Sequence, residues 1–243
     1  MIITGKYPHL RLRRNRQSNW IRRLTEENNI SVNDLILPIF IIDGKNNKQS
    51  ILNMPGVFRY TIDKLPLILD KAVKNKIPMV ALFPYTKNKL KNYFGLEALN
   101  ENNLVCRAIR FIKKKYGNKI GIMCDVALDP YTSHGHDGLL DKGKILNDET
   151  IEILIKQSLL QAEMGCDVIA PSDMMDGRIK KIRQKLDKEN FHDVQIFSYA
   201  VKYASNFYGP FRDAVGSKSV LKGDKKTYQM DFKNSHESLR EVS

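Results

Sequence analysis

Leu35-Ile36-Leu37-Pro38-Ile39-Phe40-Ile41-Ile42 is an unbroken apolar run. A strand with one wet face alternates polar and apolar residues. A run without alternation is buried on both faces, the habit of parallel sheets covered by helices. Similar runs follow at residues 79–83, 120–124, 168–170 and 194–199. Between them lie helical patterns. The clearest is capped near Asn147-Asp148, sets Ile151, Leu154, Ile155, Leu159 and Ala162 on one face, and stops at Gly165. Strand and helix in alternation, five times over, imply parallel strands and an α/β fold. Pro38 brings no N–H to a ladder, which suits a barrel or edge position for the first strand.

Each later strand runs into residues capable of chemistry: the third into Asp125, the fourth into Pro171-Ser172-Asp173, the fifth toward Lys202. In a (β/α)8 barrel, sites gather at the carboxyl ends of the strands. A doubly wound sheet uses the same end at a switch point. No G-x-G-x-x-G follows the first strand and functional residues recur on several strands, so the barrel is favoured. It is expected over residues 31–243. Residues 1–30 form a basic arm, with Arg11, Arg13, Arg14, Arg16, Arg22 and Arg23. One helix starts at Ser18 and runs past Trp20, Ile21 and Leu24. The arm has too little apolar surface to fold alone: it is a disordered tail or packs on a neighbouring subunit, and Trp20 favours the second.

Residues 197–215, FSYAVKYASNFYGPFRDAV, carry the strongest chemical signal. Lys202 leaves a buried strand among Ala200, Tyr203, Ala204, Phe207 and Tyr208. Desolvation and a nearby cation favour a neutral amine, and a neutral amine forms Schiff bases with carbonyl compounds. Arg212 is suited to be that cation and to grip a carboxylate bidentately. On this stretch alone a solvated lysine and a surface arginine fit as well.

Composition excludes more than it selects. The 243 residues carry a net charge of +13, but the basic residues are scattered rather than striped with aromatics, and zinc-finger spacing is absent. Nucleic acid is therefore not the expected partner. Cys106, Cys124 and Cys166 are odd in number and far apart, which suits a reducing compartment. No apolar run reaches signal-peptide length near the start or membrane length anywhere, so a cytoplasmic protein is expected.

The segment 125–138, DVALDPYTSHGHDG, closely resembles the active-site segment of the porphobilinogen synthase (5-aminolevulinate dehydratase) family, as do APSDMMDGR at 170–178 and SYAVKYASNFYGPFRDA at 198–214. Further matches are LILPIF at 35–40, MPGV at 54–57, residues 80–84, ILNDET at 145–150 and TYQM at 227–230, so the resemblance runs through the whole chain. The family joins two molecules of 5-aminolevulinate into porphobilinogen, the pyrrole of tetrapyrrole and heme biosynthesis. The resemblance implies a homo-oligomer, an octamer by family habit, and Lys202 as a Schiff-base lysine. It implies that Arg212, Lys225 and Gln229 hold that substrate's carboxylate, that Tyr208 and Phe211 line the pocket, and that Asp125 and Ser172 lie near its amino group. For His134, His136, Asp173 and Asp176, hydrogen-bonded structural roles in tight loops stand beside direct chemistry.

Where some members hold zinc with three cysteines, this chain has Ala127, Asp129 and Asp137. Alanine cannot ligate, and carboxylates suit magnesium or potassium better than zinc. The resemblance therefore implies the aspartate-rich, zinc-independent branch, in which a glutamate matching Glu241 holds an allosteric magnesium. The family's second Schiff-base lysine, in a V-K-P-G strand, has no counterpart before Ser243. The expectation is a barrel lacking about three β-α units. Such a barrel is expected to hold Lys202 loosely with its amine open to water, and an inactive remnant is the alternative to an active synthase.

Overall fold

The computed structural model describes residues 5–217 and 221–243; residues 1–4, part of the stretch searched for a leader, lie outside these. The chain divides into two compact units, Met1–Asp34 and Leu35–Ser243. In the first, a 3-10 turn at Leu12–Arg16 precedes α1 (Asn19–Leu24). Ser18 occupies the N-cap position in extended conformation, yet its side chain makes no capping hydrogen bond. Trp20 and Leu24 are exposed.

The second unit opens with β1 (Ile36–Ile42), the apolar run. An antiparallel hairpin follows, β2 (Lys48–Ile51) with β3 (Met54–Tyr60), and then α2 (Pro66–Lys74) and β4 (Met79–Tyr85). Next come α3 (Leu104–Tyr116) and β5 (Gly121–Val126). A small hairpin, β6 (Leu139–Asp141) with β7 (Lys144–Leu146), leads into α4 (Asn147–Glu163). The series ends with β8 (Val168–Pro171), α5 (Arg178–Lys188), β9 (Gln195–Ile196), α6 (Gly209–Val215) and α7 (Ser235–Val242).

The main sheet has seven strands in the order β2-β3-β1-β4-β5-β8-β9. Every pairing from β3 to β9 is parallel. From β1 onward the spatial order, with β1 next to β4, follows chain order, and a helix covers each crossover, as right-handed βαβ units require. The fold is α/β with a parallel sheet, and among the described residues that sheet does not close. β1 pairs with β3 only at Phe40 and Ile41, whereas it pairs with β4 along its whole length. Pro38 thus lies where β1 has a neighbour on one side, which spares the ladder a missing donor.

Two expectations shift. The fifth strand was expected over residues 194–199, and β9 spans two residues. Parallel ladder bonds nevertheless continue, from Phe197 N to Ile169 O at 2.9 Å and from Tyr199 N to Pro171 O at 3.1 Å. The β2–β3 hairpin was not expected, because the edge strand β2 (KQSI) lacks the apolar signature of buried strands.

Alternation along the strands sorts the core. Ile39, Ile41, Val80, Leu82, Ile122 and Cys124 join the helices in the larger cluster. Phe40, Ala81, Phe83, Met123, Val168 and Ala170 face the other way, where Ala214 and Val215 of α6 complete a second cluster. Helices cover one face of the sheet; the opposite face holds α6 and a cavity.

Candidate active site

The cavity has a volume of about 350 Å³. Strand alternation brings Pro38, Ala81, Phe83, Met123 and Asp125 to its wall. Ser172 enters from the turn after β8, Lys202 from the segment after β9, and Tyr208, Phe211 and Arg212 from α6 and the turn before it. Lys225 and Gln229 come from the loop beyond. A parallel bridge ties that loop to the lysine segment: Met230 N donates to Lys202 O at 3.0 Å and Ala204 N to Met230 O at 2.9 Å. The structure thus brings Lys202, Arg212, Lys225, Gln229, Tyr208, Phe211, Asp125 and Ser172 around one space.

The cavity has an apolar side and a charged side. Phe211 packs edge-on against Phe83 with centroids 4.9 Å apart and against Phe40 at 5.6 Å. Behind the lysines of the charged side lies Asp137, whose side chain is 1% exposed. Its Oδ2 lies 2.8 Å from Lys225 Nζ and its Oδ1 3.7 Å from Lys202 Nζ. Asp129 Oδ2 is 3.5 Å from the same Lys225 nitrogen. Burial alone raises Asp137, but Lys225 and Lys202 outweigh it and hold the carboxyl well below the usual range. Asp129 goes the other way: burial and its neighbour Asp137 push it up against the pull of Lys225. Lys225, opposed by burial, is raised by the two carboxylates. One ammonium between two acids therefore favours a single full negative charge, on the nearer carboxylate.

Lys202 is not loosely held. Its Nζ donates to the Ser172 carbonyl at 2.6 Å, sits 5.7 Å from the centre of the Tyr208 ring, and its side chain is 10% exposed. Strand-end packing and the Asp137 contact supply the enclosure expected only of a completed barrel. Asp125 is pushed up to about 7, chiefly by burial, with Lys202 and Ser172 opposing. Its Oδ1 has no hydrogen-bond partner among the described residues, nor has Gln229 Oε1. Of the three cations lining the cavity, Lys202 and Lys225 are ion-paired, and Arg212 has no side-chain partner among the described residues.

This arrangement sits on a sequence that matches the delta-aminolevulinic acid dehydratase family over residues 9–243. The chain belongs to that family. The delta-aminolevulinic acid dehydratase of Bradyrhizobium diazoefficiens is 57% identical over 233 residues, spanning 96% of this chain and 66% of the relative. That of Chlamydia pneumoniae is 46% identical over 96% of this chain and 70% of its own length. Among solved structures, the dehydratase (porphobilinogen synthase) of Toxoplasma gondii, in complex with its reaction product porphobilinogen, superposes with a TM-score of 0.91 at 43% identity. That match covers 96% of this chain and 66% of that one.

The histidines of the loop after β5 make hydrogen bonds away from the cavity wall. His134 Nε2 meets Tyr93 O at 3.1 Å, and His136 meets Tyr228 Oη at 3.1 Å and Lys222 O at 2.7 Å. The His136 bonds tie the loop carrying Lys225 to the segment after β5, and the His134 bond ties that segment to the one after β4. Gly135 (φ +76°) allows the approach, since a Cβ there would lie 2.8 Å from the Leu221 backbone. Asp173, pushed up to about 6 by burial despite Arg178, accepts from Met175 N at 2.7 Å and lies 3.3 Å from Arg178 Nε. Asp176 N donates to Asn147 Oδ1 at 2.8 Å.

Glu241 stands apart from this site. It lines a second, polar cavity of about 670 Å³ with Asp176, Asp231, Asn234 and Glu237. Among the described residues no three His, Cys, Asp or Glu side chains form a ready metal cluster. Sequence reasoning missed Lys91, which is 9% exposed, lies near Asp129, and donates to Gly216 O at 2.9 Å. It sits in a Lys/Asn-rich stretch where nothing distinguishes it from solvated neighbours. It also missed the pairing of Lys225 with Asp129 and Asp137, which lie 96 and 88 residues away and share no periodic signal.

Proposed function

We propose that this protein condenses two molecules of 5-aminolevulinate into porphobilinogen with loss of two waters, a lyase reaction of heme biosynthesis, and that Lys202 carries one substrate as a Schiff base. The observation that carries the reading is the charge pattern of one cavity. A buried amine lies beside an ionised Asp137, and Arg212 is left without a partner among the described residues. An amino keto acid needs those features: an amine for its ketone, a cation for its carboxylate, and acids for its ammonium.

In the first step Lys202 gives its ammonium proton to a neighbouring carboxylate, its neutral amine adds to the ketone carbon, and the carbinolamine oxygen departs as water after protonation, leaving the imine. Asp125, titrating near neutrality, is suited to hold and return that proton. Arg212 with Gln229 grips the carboxylate, and Lys225 joins them when substrate draws it from Asp137. Phe211 and Tyr208 exclude water from the imine. Asp125 and Ser172 receive the substrate's amino group.

Asp129 and Asp137 do not suit a metal, because the cation already between them is the Lys225 ammonium. A magnesium or potassium ion there would have to displace it, and zinc finds no thiolate. Magnesium fits better at Glu241, with water completing its shell, since it is commonly held by one or two carboxylates. Bound there, it would act allosterically, from outside the cavity that holds Lys202. The parallel sheet is read as part of a (β/α)8 barrel, and the protein as a cytoplasmic homo-oligomer, an octamer whose subunits meet through the arm.

Borohydride reduction in the presence of 5-aminolevulinate, followed by peptide mass mapping, tests the lysine. The adduct is expected on Lys202, and an adduct only on other lysines would refute the assignment. A colour assay for the pyrrole tests the reaction itself, and its absence under all metal conditions would refute the condensation.

A further inference from the structure

We propose that Arg59 is a positioning residue for the carboxylate grip, acting on Arg212 through the carboxyl end of α6. The proposal rests on the function above for its kinetic half and on geometry alone for its structural half. α6 has seven residues, too short to hold its own shape in water, so tertiary contacts must fix it. Two carbonyls of its last turn and that of its C-cap, Gly216, are taken by two buried cations from other elements. Arg59 Nε donates to Ala214 O at 2.7 Å and Nη2 to Asp213 O at 2.6 Å, and Lys91 Nζ reaches Gly216 O at 2.9 Å. Cations at a helix carboxyl terminus satisfy orphan acceptors and complement the helix dipole.

The guanidinium is itself held from three sides. It stacks 4.5 Å above the Tyr85 ring, Nη1 donates to Gln49 Oε1 at 3.2 Å, and the residue is 7% exposed. Tyr85 also closes on Gly216 (φ +71°), where a Cβ would meet the ring at 2.6 Å. Asn53 adds a bond from the hairpin turn to Asp213 Oδ2 at 2.6 Å. The β2–β3 hairpin, outside the β-α alternation, therefore anchors the helix that presents Phe211 and Arg212 to the cavity. A planar fork with two donors on consecutive carbonyls fixes rotation about the helix axis, which a lysine's single point of attachment cannot do. That rotation sets where Arg212 points.

The test is Arg59→Lys, with Gln49→Ala as a milder variant that leaves the fork in place and loosens its support. In Arg59→Lys, exchange of the Gly216 and Ser217 amides should speed at least ~10-fold, and the KM for 5-aminolevulinate should rise ~10-fold with kcat within ~3-fold, the size expected from losing one charged hydrogen bond. Gln49→Ala should shift both the same way by less. In an Arg212→Ala background, Arg59→Lys should leave KM unchanged, because the residue it positions is gone. Unchanged exchange, or a KM rise that persists without Arg212, would overturn the proposal. If Arg59→Lys does not fold, Gln49→Ala and its Arg212→Ala cycle decide by the same two readouts. Exchange needs no turnover, so a chain that forms no porphobilinogen counts against the function and leaves the exchange result to judge the clamp.

Discussion

Two cavities meet at Gln229, and they handle charge in opposite ways. The one around Lys202 buries its ions and pairs them tightly: Asp137 and Lys225 are 1% and 4% exposed at 2.8 Å. The one around Glu241 is lined by acids on the surface helix α7 and the turn before it, and α7 buries no residue. Coulomb attraction is strong where water is excluded and weak where it is not. The same residue types are therefore fixed, perturbed and costly to change in the first cavity, and solvated and tolerant in the second. Having an acid cluster is not what makes a site; burying it against cations is.

The largest break in the comparison comes from removing the amine. Lys202→Ala should abolish both the borohydride-trapped adduct and pyrrole formation, while Lys226→Ala in the other cavity should leave both unchanged. Activity surviving Lys202→Ala would move the chemistry elsewhere.

Next in size is Asp137→Asn. It leaves Lys225 and Lys202 without their shared buried counter-charge, and stripping one partner from such a pair costs about 3–5 kcal/mol. Glu237→Gln, on exposed α7, should stay within about 0.5 kcal/mol. Urea denaturation of both variants measures the contrast. Equal losses would mean that burial does not separate the two cavities.

That contrast also marks what a reader of the sequence can and cannot see. Four of the five apolar runs became β1, β4, β5 and β8 because a strand buried on both faces has no polar residue to obscure it. The wall residues carried by motifs, from Asp125 to Gln229, were legible as a set. What stayed hidden is pairwise: Lys225 with Asp137, Arg59 with Ala214, Lys91 with Gly216. Each joins segments distant in sequence, and a buried cation is spelled with the same letter as a solvated one. That the sheet does not close among the described residues could be read from no single strand, since closure is a property of registers rather than of residues; it was expected from the count of β-α units.

A smaller effect is expected in pH dependence, and within the first cavity it has two signs. Asp125 is raised to about 7 in the folded protein, above its value of about 4 in an unfolded chain. The native state then binds the extra proton, so the stability it adds is full below about pH 4 and is lost as pH rises through about 7. Asp137 is depressed, so its contribution is full above the ordinary carboxylate range and is lost only on strong acidification. Asp125→Asn should flatten the stability profile between about pH 4 and 7 and leave the acid limb in place. A profile that stays sloped in this variant would assign the titration to another group, with Asp173, raised to about 6, the first to examine.

The smallest effect is expected at Glu241, and its smallness is the point. The carboxylate lies on an exposed helix and lines a cavity open to solvent, so neutralising it removes no buried pair. Magnesium keeps much of its water shell and gains little from any one carboxylate there. Glu241→Ala should therefore leave unfolding in urea unchanged and reduce the stimulation of pyrrole formation by added magnesium, with the activity measured in chelator equal to that of the parent. Chelator should not abolish parent activity either, because the charge beside Lys202 is supplied by Lys225 rather than by zinc. Two results would erase the distinction between the cavities: magnesium stimulation undiminished in Glu241→Ala, or activity lost in chelator and restored by one zinc per chain. The second would put a metal where the structure has an ammonium, and the ionised Asp137 would then be a ligand rather than the counter-charge of two lysines.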